Sequence, residues 1–261
     1  MNLGLSGKTA LVVGGSGGLG RAVALALGGE GARIAVAGRD LDAAAATVEM
    51  IAAEGGEALP VRLDLTDIAS LDSAVETIRG RLGEVSVLFN NSGGPPPTTA
   101  ANQPVDLWRA QFEAMVLGVI SLTDRVLPGM RQAGWGRIIT NTSSGVLAPI
   151  PNLAISNALR LSLVGWSKTL AREVAADGIT VNVVVPGRIA TDRVRALDEA
   201  RAVRENTSVE AAEAAGIAAI PVGRYGYPEE YAAAVAFLAS AQASFITGTM
   251  LRVDGGQTPS I

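Results

Sequence analysis

The chain has 261 residues, 48% of them hydrophobic and 18% charged, and a net charge of −4. That length and apolar content suffice for one α/β domain with a large core, and the lack of any basic run leaves no electrostatic footprint for nucleic acid or an acidic membrane. Cysteine and histidine are absent and lysine stands only at Lys8 and Lys168, which excludes disulfides and thiolate chemistry and narrows the choice of general acids and bases. No apolar run reaches membrane-spanning length and no signal peptide is read, so small molecules are the expected partners and the cytoplasm the expected address.

Leu11-Val12-Val13 reads as a buried strand that breaks into Gly14, Gly15, Gly17, Gly18 and Gly20. A helix follows, with Leu19, Val23 and Leu27 every four residues and Ala22 and Ala26 beside them. Strand, glycine turn and helix together make an anion cradle, because backbone N–H groups can approach a phosphate and the helix start adds a positive end. Two templates overlap there: Gly15, Gly17 and Gly20 fit G-x-G-x-x-G, and Gly14, Gly18 and Gly20 fit G-x-x-x-G-x-G. The expected ligand is a pyrophosphate; the other reading is a mobile turn in a glycine-rich chain.

A second strand runs through Ile34 to Val36 and ends at Ala37-Gly38-Arg39-Asp40. Where dinucleotide folds place an acid against the ribose 2′-hydroxyl this chain has Gly38 and then Arg39, which favours NADP(H) over NAD(H). The other reading is that Arg39 solvates a strand end and Asp40 caps the helix beginning near Leu41. That helix carries Val48 and Ile51, and Leu59 to Leu63 form a third strand closing on Asp64. Asp64-Leu65-Thr66-Asp67 opens a helix with Ile68, Leu71, Val75, Ile78 and Leu82; Asp67 or Thr66 is expected to cap it, and Asp64 either joins that turn or accepts from an adenine amino group.

Val85 to Phe89 make a fourth strand that stops at Asn90-Asn91-Ser92-Gly93-Gly94-Pro95-Pro96-Pro97, a turn at the carboxyl edge of the sheet, where open α/β sheets bind ligands. One helix is expected from about Asp106 to Met130, with Trp108, Phe112, Met115, Val119, Leu122 and Val126 in its apolar stripe. Gly136 to Asn141 form the fifth strand, ending in Thr142-Ser143-Ser144-Gly145, and a helix around Ser156 to Val174 leads to a strand over Ile179 to Val185. Helices alternating with strands imply a parallel sheet covered on both faces. Residues Arg188 to Ile220 carry two weak helical stretches, Arg193 to Arg204 and Val209 to Ala218, and read as either a lid over the ligand edge or a plain surface hairpin of helices. Tyr225-Gly226-Tyr227-Pro228 opens a helix with Val235, Phe237 and Leu238, and Met250 to Val253 are the last strand.

Gly14-x-x-x-Gly18-x-Gly20, Asp64, Asn90-Asn91-Ser92-Gly93, Asn141-Thr142-Ser143-Ser144, Pro186-Gly187-x-x-x-Thr191 and Val253-Asp254-Gly255-Gly256 stand in that order over nearly the whole chain. In this the chain resembles the short-chain dehydrogenase/reductase family, and within it a divergent group similar to β-ketoacyl-acyl-carrier-protein reductases. The resemblance implies a single Rossmann-like doubly wound domain over residues 1–261 with a seven-stranded parallel sheet, a lid-like insertion at about 188–220, a nicotinamide cofactor, and a homotetramer or dimer. It implies a cofactor-binding set of Gly14, Ser16, Gly17, Gly18, Leu19, Gly20, Arg39, Asp64, Leu65, Asn90, Ser92, Gly93, Arg160, Pro186, Gly187, Ile189 and Thr191, with no metal.

The family's reaction uses a tyrosine as proton donor, a lysine four residues later, a serine on the substrate carbonyl and an asparagine in the preceding helix. Counted back from Gly165-Trp166-Ser167-Lys168, the tyrosine position falls on Ser156, the lysine position on Arg160 and the asparagine position on Met115, while the serine is retained as Ser143. An alkyl hydroxyl is a far weaker acid than a phenol, and an arginine does not serve as a base. Ser156 and Arg160 share one helical face, so Arg160 can place positive charge beside a substrate oxygen or ribose, and Ser143 and Ser144 can donate to a developing alkoxide. Ser156 also reads as a plain helix cap. The only tyrosines, Tyr225, Tyr227 and Tyr231, are the remaining phenols. The expected function is an NADP(H)-dependent interconversion of a carbonyl and a hydroxyl, with 3-oxoacyl thioesters the class the family suggests; the competing expectation is a catalytically impaired nucleotide-binding or scaffold protein.

Overall fold

The computed structural model describes residues 2–260. Short runs of β-branched and small apolar residues form seven strands: β1 (Thr9–Val13), β2 (Arg33–Gly38), β3 (Ala58–Arg62), β4 (Val85–Asn90), β5 (Gly136–Asn141), β6 (Ile179–Pro186) and β7 (Met250–Val253). Between them run α1 (Gly18–Gly29), α2 (Leu41–Ala53), α3 (Leu71–Leu82), α4 (Val105–Phe112), α5 (Gly118–Ala133), α6 (Ala154–Val174), α7 (Asp192–Glu205), α8 (Val209–Ala218) and α9 (Pro228–Ala239). All strand pairs are parallel, in the order β3-β2-β1-β4-β5-β6-β7.

Side chains alternate across each strand, so a continuous apolar run serves two cores at once. Leu11 and Val13 pack with α3, α5 and α6 on one face, whereas Ala10 and Val12 pack with α1, α2 and α9 on the other. Strand order reverses between β1 and β4. The turns leaving those two strands therefore diverge to opposite sides, and a crevice opens at the carboxyl edge between them.

The helix expected over Asp106 to Met130 is three pieces: α4, a π turn over Glu113–Leu117, and α5. The wider turn shifts the phase of the apolar stripe, burying Met115, Val116, Val119 and Leu122 and leaving Phe112, expected in that stripe, 39% exposed. Directly after it comes Gly118, so close to the chain leaving β3 that a Cβ there would stand 2.2 Å from the Leu65 carbonyl oxygen. Helix and turn meet at a contact that only glycine permits.

Candidate functional site

A cavity of about 1020 Å³ lies along the carboxyl edge, running from the glycine turn past β4 and β5 to α7 and α8. Its first wall is Gly14, Ser16, Gly17, Gly18 and Leu19. Arg21 holds this turn, donating from Nη2 to the Ser16 carbonyl at 2.5 Å and from Nε to Thr47 Oγ1 at 3.1 Å. Gly20 has a different duty from the one expected. It does not line the cavity; a Cβ on it would stand 2.0 Å from the Gly14 carbonyl oxygen, so it lets α1 close against the turn. The first amides of α1 have no partner within the helix and form the positive end of the cradle.

Arg39, Asp64, Leu65 and Thr66 form the outer end. Asp40 caps α2 by accepting from the Ala43 amide at 3.0 Å, which leaves Arg39 as the charged group at the end of β2. Asp64 Oδ1 accepts from the Thr66 amide and hydroxyl at 3.0 and 2.8 Å. Those hydrogen bonds, the amide's first, hold its carboxyl below the usual carboxylate range, with the positive charges of Arg39 and Arg62 adding to the effect. Asp67 instead caps the 3₁₀ turn Ile68–Ser70 that leads into α3, accepting from the Ser70 amide, and α3 itself has no side-chain cap.

At the inner end Ser143, Ser144, Ser156 and Arg160 line the same cavity as the glycine turn. Ser143 is extended at the end of the β5 loop and its Oγ accepts from the Gly145 amide at 3.1 Å, an arrangement that keeps its own proton free to donate. Ser156 lies inside the first turn of α6, whose N-cap is Leu153, so it is not a cap. Arg160 is 6% exposed and bonds only to carbonyls: Nη1 donates to Asn141 at 3.3 Å, and Nη2 to Ser92 at 3.1 Å and Gly93 at 3.4 Å. Burial lowers its pKa to about 10, and the positive charge of Arg193 pushes the same way.

Asn90 departs from expectation. Its Nδ2 donates to Thr123 Oγ1 at 3.1 Å, away from the cavity, and Asn91 takes the place in the wall. Alternation along β4 carries the reason, since Leu88 faces α5 and Asn90 shares that face. Asn91 belongs to a buried chain that the sequence does not announce: Tyr231 donates to Asn141 Oδ1 at 2.8 Å, and Asn141 Nδ2 donates to Asn91 Oδ1 at 2.9 Å. Tyr231 is fully buried and its phenol is pushed far above the usual range by that burial. None of the three tyrosines lines the cavity. Tyr225 donates to Asp198 Oδ2 at 2.8 Å and accepts from Arg188 at 2.9 Å, and burial with that carboxylate pushes it up to about 12; Tyr227 is exposed at the start of α9.

Pro186, Gly187, Ile189 and Thr191 complete the wall, and Thr191 caps α7 by accepting from the Val194 amide at 3.4 Å. Both α7 and α8 contribute lining residues, among them Arg193, Leu197 and Ala215. Arg193, which sequence reading placed only within a weak helix, reaches back across the cavity mouth and donates to the Pro95 carbonyl at 2.8 Å. Met115, at the asparagine position, is buried in the core and outside the cavity.

A family model described as enoyl-(acyl carrier protein) reductase matches residues 14–258. The 3-oxoacyl-acyl-carrier-protein reductase FabG of Salmonella typhimurium is 40% identical over 252 residues, 96% of this chain and 97% of that protein. L-sorbose reductase from Gluconobacter frateurii, solved with NADPH and L-sorbose, superposes with a TM-score of 0.94 over 100% of both chains at 30% identity. YwfH, an NADPH dependent reductase involved in bacilysin biosynthesis, superposes with a TM-score of 0.93 at 32% identity, covering 97% of this chain and 99% of its own. Likeness at this coverage is one of whole chains and not of a shared nucleotide motif, and the chain belongs to the short-chain dehydrogenase/reductase family.

Proposed function

We propose that the protein is an NADP(H)-dependent oxidoreductase that interconverts a carbonyl and a hydroxyl, using hydroxyls and a guanidinium where its family uses a phenol and an ammonium. One observation carries this: the glycine turn and the Ser143, Ser156, Arg160 group open into one continuous cavity. The cavity suits a dinucleotide in volume, and a Cβ at Gly17 or Gly93 in its wall would meet nothing within 4 Å. Ser92 Oγ and Gln257 Oε1, on lining residues, are buried without hydrogen-bond partners. The glycine turn would hold the pyrophosphate, Arg39 the 2′-phosphate, and Pro186 to Thr191 the nicotinamide end.

When bound, the nicotinamide supplies or accepts the hydride. Ser143 and Ser156 donate hydrogen bonds to the substrate oxygen; the Ser156 hydroxyl has no hydrogen bond among the described residues. Arg160, with a pKa of about 10, is cationic at neutral pH and stabilises negative charge on that oxygen while fixing the Ser92-Gly93 loop. No tyrosine, histidine or lysine lines the cavity among the described residues, so the proton is drawn from water or from the substrate. Helices α7 and α8 act as the lid, and a homo-oligomer in the cytoplasm completes the reading by resemblance to the family.

The missing proton relay favours a second reading, a protein that keeps the nucleotide and has lost turnover. Purified protein is mixed with NADPH and a panel of ketones and 3-oxoacyl thioesters, and binding is followed by calorimetry. Substrate-dependent loss of NADPH absorbance is expected. Tight NADPH binding with no carbonyl ligand bound supports the second reading, and no binding of either nicotinamide cofactor defeats the first.

A further inference from the structure

Arg39, Arg160, Arg188, Arg193 and Arg201 line the cavity against the carboxylates Asp64 and Asp192 alone. Arg188 is paired with Asp198 and Arg201 with Glu205. Arg39 stands at the outer end, where its charge is felt by Asp64. That leaves Arg160 and Arg193, neither of which makes an ion pair among the described residues.

Both brace the same turn from the end of β4. Arg160 donates to the carbonyls of Ser92 and Gly93, and Arg193 to that of Pro95. Between these anchor points the turn is open: a Cβ at Gly93 would meet nothing within 4 Å, whereas one at Gly94 would stand 3.0 Å from Arg193 Nη2. Arg193 is exposed at the rim, Arg160 is buried behind it, and the two are close enough for the charge of Arg193 to disfavour that of Arg160. Two neighbouring guanidiniums without an ion pair are an unfavourable arrangement that a bound anion relieves, and Arg193, whose only hydrogen bond runs from Nη2 to Pro95, keeps the rest of its planar fork for a carboxylate. The cofactor's phosphates have separate cradles, at the glycine turn and at Arg39. The serines that take the carbonyl oxygen line the same space.

We infer that Arg193, with Arg160 behind it, is the subsite for a carboxylate on the substrate, so that the preferred carbonyl substrates are oxo acids and not neutral ketones or esters. This rests on the hydride-transfer reading above and adds the substrate class. Acetoacetate, pyruvate and levulinate are each compared with their methyl esters in the presence of NADPH. The acids are expected to exceed the esters in kcat/KM by roughly tenfold, the usual effect of one charge-assisted hydrogen-bonded pair. Arg193→Gln brings that ratio close to one and leaves the NADPH Kd unchanged, while Arg193→Lys restores part of it. Esters that match the acids in the unaltered protein overturn the subsite. A weakening of NADPH binding in Arg193→Gln as large as the loss of acid preference assigns the anion to the cofactor and overturns it as well. If none of the six is turned over, that result bears on hydride transfer and not on the subsite, which calorimetry of acetoacetate and methyl acetoacetate with the NADP-loaded protein still decides. Preferential binding of the acid, lost in Arg193→Gln, upholds the subsite, and acid binding no better than ester refutes it.

Discussion

Arg160 is held by backbone carbonyls and by no carboxylate, so its charge is stabilised by dipoles while burial opposes it. Its folded pKa of about 10 lies below the ordinary 12.5, so between those values the unfolded chain binds more protons than the folded one. This group therefore makes stability rise with pH across that window, and below it the burial penalty is constant. Function runs the opposite way. Activity that needs the cation falls as pH passes about 10, and Arg160→Met removes that limb and lowers kcat/KM by roughly 10²-fold; rates measured from neutral to alkaline pH check both. Tyr231→Phe strips the donor from Asn141 Oδ1. An unmet buried acceptor costs about 1–3 kcal/mol, so a lower Tm is expected together with a weaker NADPH Kd, because Asn141 in turn orients Asn91 in the cavity wall. Ser156 and Arg160 were legible because the resemblance to the family fixes their positions, counted back from Gly165-Trp166-Ser167-Lys168, and their spacing then puts them on one helix face. Tyr231 was not, since its partner is 90 positions away in sequence.

At the scale of elements, α7 is tied to the loop after β6 by one compact cluster. Arg188 donates to Asp198 Oδ1 at 2.5 Å and to the Tyr225 hydroxyl, which itself donates to Asp198 Oδ2. Asp198 is 2% exposed, so its charge is compensated inside the cluster and not by water. Asp198→Asn is expected to weaken the attachment of α7 and α8 by about 1–3 kcal/mol while the sheet is untouched. Faster protease cleavage or amide exchange confined to residues 192–218, at nearly constant Tm, is the measurement that checks it. Both helices were legible from composition and their caps, Thr191 and Ser208, confirm the ends. The π turn ahead of α5 was hidden, because nothing periodic in the chain marks it, and the close approach of Gly118 to Leu65 beside it joins segments more than fifty positions apart.

Across the whole molecule, the reversal of strand order between β1 and β4 is what gathers the end of β2, the turn after β4 and the start of α7 around one cavity. Cofactor choice is read at its outer end. Asp40 is committed to the Ala43 amide, which leaves no strand-end acid for a ribose hydroxyl and leaves Arg39 for a phosphate. Arg39→Ala is expected to weaken NADPH binding by roughly tenfold and NADH binding little, as measured by titration of each. An NADPH concentration a hundredfold above Kd should add about 2.7 kcal/mol to the stability of the unaltered protein, and less to the variant.

Apolar periodicity and glycine placement determined the strands, most helix ends and the parallel sheet, because those properties depend on neighbours a few residues apart, and motif order marked out part of the residues that line the cavity. Only the tertiary structure decided that Gly20 supports the turn and does not line it, that Asn90 yields to Asn91, and that Arg193 crosses the mouth to Pro95. Each of these is a choice of direction for one side chain, settled by a contact with a distant segment, and local spacing carries no record of which distant segment will be there.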